Sequence, residues 1–238
     1  MIQRSRFYRD VTVEGAPGGY AVFLDGKPAG TPAGEALILP TEALAQAVAE
    51  EWRAQGEKIR TETMIFTRLA NTAIDRIALN PQAVVEQILS FAKSDLLCYR
   101  AESPRDLVNR QAAVWDPLLQ WVQREYGAAF CTASGIGFVE QPADAVEALE
   151  RALAVRGAFA LAGLQAAAAL LGSTLIALAI SDGRIDANDA FAAAQLDEIY
   201  QAEKWGQDEE ALRRSRKKSN ELSEIAEFFR LLDHPTSG

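Results

Sequence analysis

The sequence predicts an α+β protein: a small N-terminal strand-rich α/β domain, an antiparallel sheet plus a helix in residues 1–80, and a larger all-helical C-terminal domain in residues 81–238. Three observations carry this. From Phe7 to Pro40, short alternating apolar runs are punctuated by Gly-rich turns, which is the pattern of strands. At Pro40-Thr41 the apolar period changes to that of a helix, and after Asn80-Pro81 almost every segment keeps helical spacing. The third is Ala158 to Ile180, AFALAGLQAAAALLGSTLIALAI, which has no charged side chain and as a helix would be apolar all round, so it belongs inside.

In chain order, Phe7 to Glu14 is a strand with Val11 and Val13 on one face, and Tyr20 to Leu24 is a second. Gly15-Ala16-Pro17-Gly18-Gly19 connects them as a loop, Asp25-Gly26 is a hairpin turn, and Ala36 to Leu39 is a further short strand. Thr41 caps a helix whose apolar face is Leu44, Val48 and Trp52, with Gly56 closing it. Ile65 to Ile77 leads into helical sequence, and Asn80-Pro81 resets the chain.

A helix from Gln82 to Tyr99 carries Val85, Ile88, Leu89, Ala92 and Leu96 on one face. Ser103 caps the next, with Pro104 first and Asp106 three residues on; Asp116-Pro117 then breaks or kinks it and starts another that runs to Gly127. Phe130 to Glu140 is an extended interlude, and Ala143 to Ala154 is helical. The apolar stretch follows, expected at the centre of the second domain. Its length approaches the roughly 20 residues of a bilayer span, but Ala dominates it and Gln165, Ser173 and Thr174 lie within it, so a central helix is favoured and no membrane insertion is expected. Gly172-Ser173-Thr174 is a bend, or the join between two shorter helices. Asp186 or Asn188 restarts the chain as a helix from Asp189 to Arg216, and a separate amphipathic piece with Leu222, Ile225, Phe228, Phe229 and Leu232 precedes a frayed HPTSG tail.

Composition narrows function. The 238 residues are 49% apolar and 24% charged, enough for a real core. A net charge of -9 argues against nucleic acid or an anionic membrane, since binding phosphate needs a surplus of Lys and Arg; a basic or polar protein partner fits better. Cys98 and Cys131, without CxxC spacing, read as reduced thiols, with a disulfide between them left open. MIQRSRFYRDVTV offers neither a signal core nor a presequence.

The single histidine, His234, lies in the tail, which removes Ser/His/Asp and Cys/His triads, HExxH and any His-based metal cluster. No GxxxxGK[ST] loop occurs, and Gly135-Ile136-Gly137 lacks a third glycine at dinucleotide spacing. Glu50-Glu51, Asp197-Glu198 and Asp208-Glu209-Glu210 are the available acid pairs, none in the context of a recognised acid/base site. No catalytic residue, cofactor or metal is expected. A carboxylate-dependent hydrolase with its site between the domains is the alternative.

The most informative charged segment is LDEIYQAEKWGQDEEALRRSRKKS, Leu196 to Ser219. Acids fill its first half and bases its end, an order that matches a helix dipole and reads as an exposed, dipole-matched helix. Tyr200 and Trp205, interleaved with the acids, support a sharper reading, because aromatics rimmed by charge anchor protein interfaces.

FTRLANTAIDR (Phe66 to Arg76), SDLLCYRAE (Ser94 to Glu102), RQAAVWDPLLQW (Arg110 to Trp121), LDEIYQAEKWGQDEEA (Leu196 to Ala211) and RFYRDVTV with GGYAVFLDGKPAGTPAG together resemble the assembly chaperone family of the F-type ATP synthase. Tyr200, Lys204 and Gln207 stand where that family's pattern has Trp, Gln and Glu. The resemblance implies a non-enzymatic chaperone that binds the free alpha subunit of the catalytic head until it joins beta, built as a strand-containing domain followed by a helical one. With no presequence it implies a bacterial, cytoplasmic member, expected to be a monomer. Glu198, Trp205, Asp208 and Glu209 are the candidate partner-binding residues, Trp205 as apolar anchor and the carboxylates facing basic groups on the alpha subunit. The competing reading has Trp205 plugging the helical core and the acids merely solvated.

Overall fold

A computed structural model describes residues 5–135, 137–206 and 208–233; His234 and the rest of the tail, Ile136 and Gln207 lie outside the described residues. The fold is α+β, a small strand-containing N-terminal region with a mostly helical remainder. It divides into two compact units, one of Met1–Pro81, Gly157–Gly163 and Glu227–Gly238, the other of Gln82–Arg156 and Leu164–Ala226.

In the first unit, β1 (Val11–Ala16) and β2 (Gly19–Leu24) form an antiparallel hairpin, with Val11 opposite Leu24 and Ala16 opposite Gly19. The strands therefore extend into the glycine-rich segment expected to be loop, and only Pro17-Gly18 turns. Gly19 permits this because a Cβ there would lie 2.2 Å from the Leu39 carbonyl oxygen. On its other side β2 pairs with β3 (Lys27–Pro28) and β4 (Ile38–Leu39). Asp25-Gly26 turns between β2 and β3 with both φ angles positive, 50° and 74°. Helix α1 (Glu42–Arg53) buries Leu44, Ala45, Val48 and Ala49 and packs on β1 and β2. Thr41 Oγ1 caps it, accepting from the Leu44 amide at 3.2 Å and donating to the Leu231 carbonyl at 2.6 Å. The helix closes at Ala54, so Gly56 lies beyond its end. Helix α2 (Ile65–Thr72) has no cap of its own and runs into a π-helical turn, Ala73–Ile77.

The sheet-bearing unit is not contiguous in sequence, since it also takes in segments far beyond residue 80. Phe228 stacks on Phe66 with ring centroids 6.5 Å apart, and the Phe229 ring lies where a Cβ on Gly163 would be, 2.6 Å from it. Both contacts lie within the sheet-bearing unit, which includes Gly157–Gly163 and the segment from Glu227.

The second unit is built from α3 (Pro81–Ala92), α4 (Arg105–Tyr126), α5 (Ala143–Ala154), α7 (Thr174–Ser181), α8 (Ala187–Ala194), α9 (Leu196–Trp205), most of α6 (Ala158–Leu171) and the first part of α10 (Glu209–Leu232). It is not wholly helical: β5 (Tyr99–Arg100) and β6 (Ala133–Ser134) pair in parallel. Helix α3 stops at Ala92, short of Tyr99. Pro104, not Ser103, occupies the N-cap of α4, without a side-chain cap. That helix passes through Pro117 unbroken, because the residues around the proline are held from outside: Trp115 donates to the Ala193 carbonyl at 2.9 Å, while Arg100 stacks over the Trp115 ring and pairs with Asp116 at 2.8 Å. Tertiary packing outweighs the usual cost of an interior proline.

The apolar stretch is two helices, α6 and α7, joined at Gly172 (φ 67°), and its first residues up to Gly163 belong to the other unit. Ser173 Oγ caps α7 by accepting from the Ile176 amide at 3.0 Å. Beneath the join sits Asp95, fully buried, accepting from Ser173 Oγ at 2.7 Å and from the amides of Leu175 and Leu97 at 3.0 and 3.1 Å. Among the described residues no helix is long and apolar enough to cross a membrane. The single helix expected from Asp189 to Arg216 is instead three, broken at Gln195 and at Gly206 (φ 83°), and α10 absorbs the final amphipathic piece.

Candidate partner-binding surface

Helix α9 holds two of the four candidate residues, Glu198 and Trp205, and its two faces have opposite fates. The inward face is tied to the start of α4. Tyr200 is buried and donates to Asp106 at 2.8 Å; Asp197 accepts from Gln111 at 2.7 Å; Glu203 pairs with Arg110 at 2.7 Å and Lys204 with Asp106 at 3.4 Å. Arg110 and Lys204 both lie over the Tyr200 ring, each 5.3 Å from its centroid. The Tyr200 hydroxyl holds the Asp106 carboxyl below its usual range, while burial, then Asp106, pushes the phenol up.

The outward face carries Glu198, Ile199 and Trp205, with the Trp205 side chain 78% exposed. Glu198 and Trp205 are seven residues apart, two turns on one stripe. The reading in which Trp205 plugs the core is thus set aside, and the one in which both aromatics face a partner is halved: Tyr200 is structural. Glu198 has no ion-pair partner among the described residues.

Asp208 and Glu209 open α10. Asp208 Oδ1 accepts from the Ala211 amide at 2.7 Å and so caps the helix. Glu209 lies 3.5 Å from Arg213, its side chain 91% exposed, and Glu210 is 2.5 Å from Arg214. Asp208 therefore has a structural duty that reversing its charge would disturb. The anchors of α9 on α4, Asp106, Arg110 and Gln111, are missed by sequence reasoning; the four-residue spacing of Asp106 and Arg110 on a helix was the available signal.

The remaining acid pair, Glu50-Glu51, is committed elsewhere. Glu50 pairs with Arg53 at 2.6 Å, and Glu51 reaches across to cap α2, accepting from the amides of Phe66 and Thr67 at 2.7 and 2.8 Å and from the Thr67 hydroxyl at 2.7 Å. Both carboxylates line a groove of 1020 Å³ with Lys58, Arg60, Thr63 and Phe66. Among the described residues no group of three or more His, Cys, Asp or Glu side chains is placed to hold a metal. Cys98 is buried, which pushes its thiol up to about 12, and Cys131 is exposed; neither is in a disulfide.

Residues 5–123 match the ATP12 chaperone protein family. The fold matches Atp12 from Paracoccus denitrificans along almost all of both chains, 96% of this one and 98% of that one, with 39% identity and a TM-score of 0.89. The chain belongs to the ATP12 chaperone family. An aspartate-to-lysine mutant of Paracoccus denitrificans Atp12p is similar at 38% identity and a TM-score of 0.90, covering 96% of this chain and 97% of that one. A putative chaperone from Agrobacterium tumefaciens is 43% identical, with a TM-score of 0.90 over 97% of this chain and 87% of that one. More distantly, mitochondrial protein atp12 of Schizosaccharomyces pombe is 24% identical over 218 residues, 87% of this chain and 75% of the relative. The family match ends at residue 123, before α9, whereas the structural matches run past it. The ATP12-family chaperone thus presents Trp205 and Glu198 on a helix whose opposite face is fixed.

Proposed function

We propose that this ATP12-family chaperone assists assembly of the F-type ATP synthase by binding the free alpha subunit of the catalytic head and shielding it until it meets beta. It acts as a monomer in the bacterial cytoplasm and without a catalytic step. A subunit made to be packed between neighbours exposes apolar surface until they arrive, and exposed surface associates wrongly. Covering one face needs modest affinity and later displacement.

The observation that carries the docking site is the outward stripe of α9, where a tryptophan 78% exposed stands two turns from Glu198, which has no ion-pair partner among the described residues. An exposed Trp rimmed by carboxylate suits an apolar pocket bordered by basic groups. Glu209 extends the acidic rim, while Asp208 contributes its charge from a capping position. The inward bonds to α4 orient the stripe, so binding orders little of the helix.

Co-purification tests the partner. The tagged chain, expressed in a bacterial host making the alpha subunit without beta, should retain alpha, and supplying beta should release it. Recovery of beta alone, or of neither subunit, would refute the proposal.

A further inference from the structure

Helices α4 and α9 run antiparallel along their seam. Asp106 meets Tyr200 and Lys204, Gln111 meets Asp197, and Trp115 reaches back to the Ala193 carbonyl, so α9 recedes as α4 advances. The 2.7 Å pair of Arg110 with Glu203 closes one flank of the seam. Val114 lies one turn further along α4, four residues after Arg110, and Ile199 one turn back along α9, four before Glu203. In an antiparallel pair both steps lead the same way, so Val114 and Ile199 stand on one flank, next beyond the ion pair. Each is 39% exposed. The exposed residues around Val114 on α4 are Ala113 and Pro117, so from Arg110 to Gln120 this flank carries no further charge, where a solvated helix flank is ordinarily polar. Single exposed apolar side chains need no explanation. These are contiguous with the outward face of α9, to which Ile199 also belongs.

Size says that a partner seated on α9 does not stop there. The helix has ten residues and is about 15 Å long, so one face of it falls well short of the roughly 800 Å² that each side of a stable interface buries. Two directions are open. On α9, Asp197 and Lys204 lie on the far side of buried Tyr200 from Ile199, and covering them would desolvate charges already committed to α4. The Val114 flank has no such cost. Resting on the reading that α9 captures the alpha subunit, we infer that the alpha subunit also covers this flank of α4: an uncharged apolar segment of it lies over Val114 and Ile199, with Ala113 and Pro117 beside them and the Arg110–Glu203 pair left at the rim.

The test measures the affinity of purified alpha subunit for the full chain and for Val114→Lys, which sets a charge on the strip without touching the α9 stripe. Binding should weaken about tenfold or more, with the melting temperature close to that of wild type. Should Val114→Lys fail to fold, Val114→Thr, which keeps the shape, shows a loss in the same direction. With p-benzoylphenylalanine in place of Val114, irradiation should crosslink the chain to alpha. If Glu198→Lys with Trp205→Ala abolishes capture while Val114→Lys binds as wild type does and no crosslink forms, the inference falls and the α9 reading stands. No capture by wild type overturns both. A wild-type dimer in sedimentation that Val114→Lys dissociates, with alpha binding unchanged, overturns the inference by making a second copy of this chain the occupant.

Discussion

Asp95 is the residue on which the helical unit most visibly depends. It is buried completely, which pushes its carboxyl up to about 6 despite the three donors from Ser173, Leu175 and Leu97. Because the folded-state value lies above that of the unfolded chain, the native protein holds the proton more tightly. This group therefore adds stability as pH falls from about 6 towards the ordinary carboxylate range and loses it as pH rises through 6, a swing of about 3 kcal/mol. Asp95→Asn cannot titrate. Denaturant melts of both proteins between pH 4.5 and 7 should show the wild type gaining on the variant as pH falls; parallel profiles would contradict the assignment. Glu51 is a second such residue, since its carboxylate supplies the cap that α2 lacks. Glu51→Ala should cost about 1–2 kcal/mol by thermal melt, the range of a lost N-cap, and an unchanged melting temperature would show the cap to be idle.

The element that decides how the units are composed is α6, where Gly163 meets the Phe229 ring. Gly163→Ala in a helix interior would ordinarily stabilise by up to about 1 kcal/mol, but the added Cβ would press on that ring, so a loss of about 1–3 kcal/mol is expected. A higher melting temperature in the variant would show the contact to be loose. The same scale shows what was legible in sequence. Elements whose ends are written in local chemistry were readable: Thr41 and Asp186 cap α1 and α8, Asp25-Gly26 turns, and Gly172-Ser173 joins two helices. Elements settled by distant contacts were not. Pro117 looks like a helix end until Trp115 and Asp116 are seen to be held by Ala193 and Arg100. Tyr200 and Trp205 look alike in sequence, and only the position of α4 beside α9 buries one and leaves the other exposed. The candidate site was legible as a segment, therefore, but not as a face.

At the scale of the whole molecule, the chain is an ATP12-family chaperone whose candidate contacts are surface side chains. No segment of it supplies the glycine-rich cradle and lysine that a nucleotide's phosphates need, so calorimetry with Mg-ATP should detect no site of micromolar or tighter affinity. A micromolar site would force a different account of the fold's use. The central claim, that the outward stripe of α9 captures the alpha subunit, is tested most directly by the affinity of purified alpha subunit for wild type and for the double variant Glu198→Lys, Trp205→Ala. Both side chains are exposed, so the melting temperature should stay within about a degree of wild type. Binding should weaken by about 2 kcal/mol or more, roughly thirtyfold in the dissociation constant. An unchanged dissociation constant in a normally folded variant would contradict the claim and move the docking surface off α9.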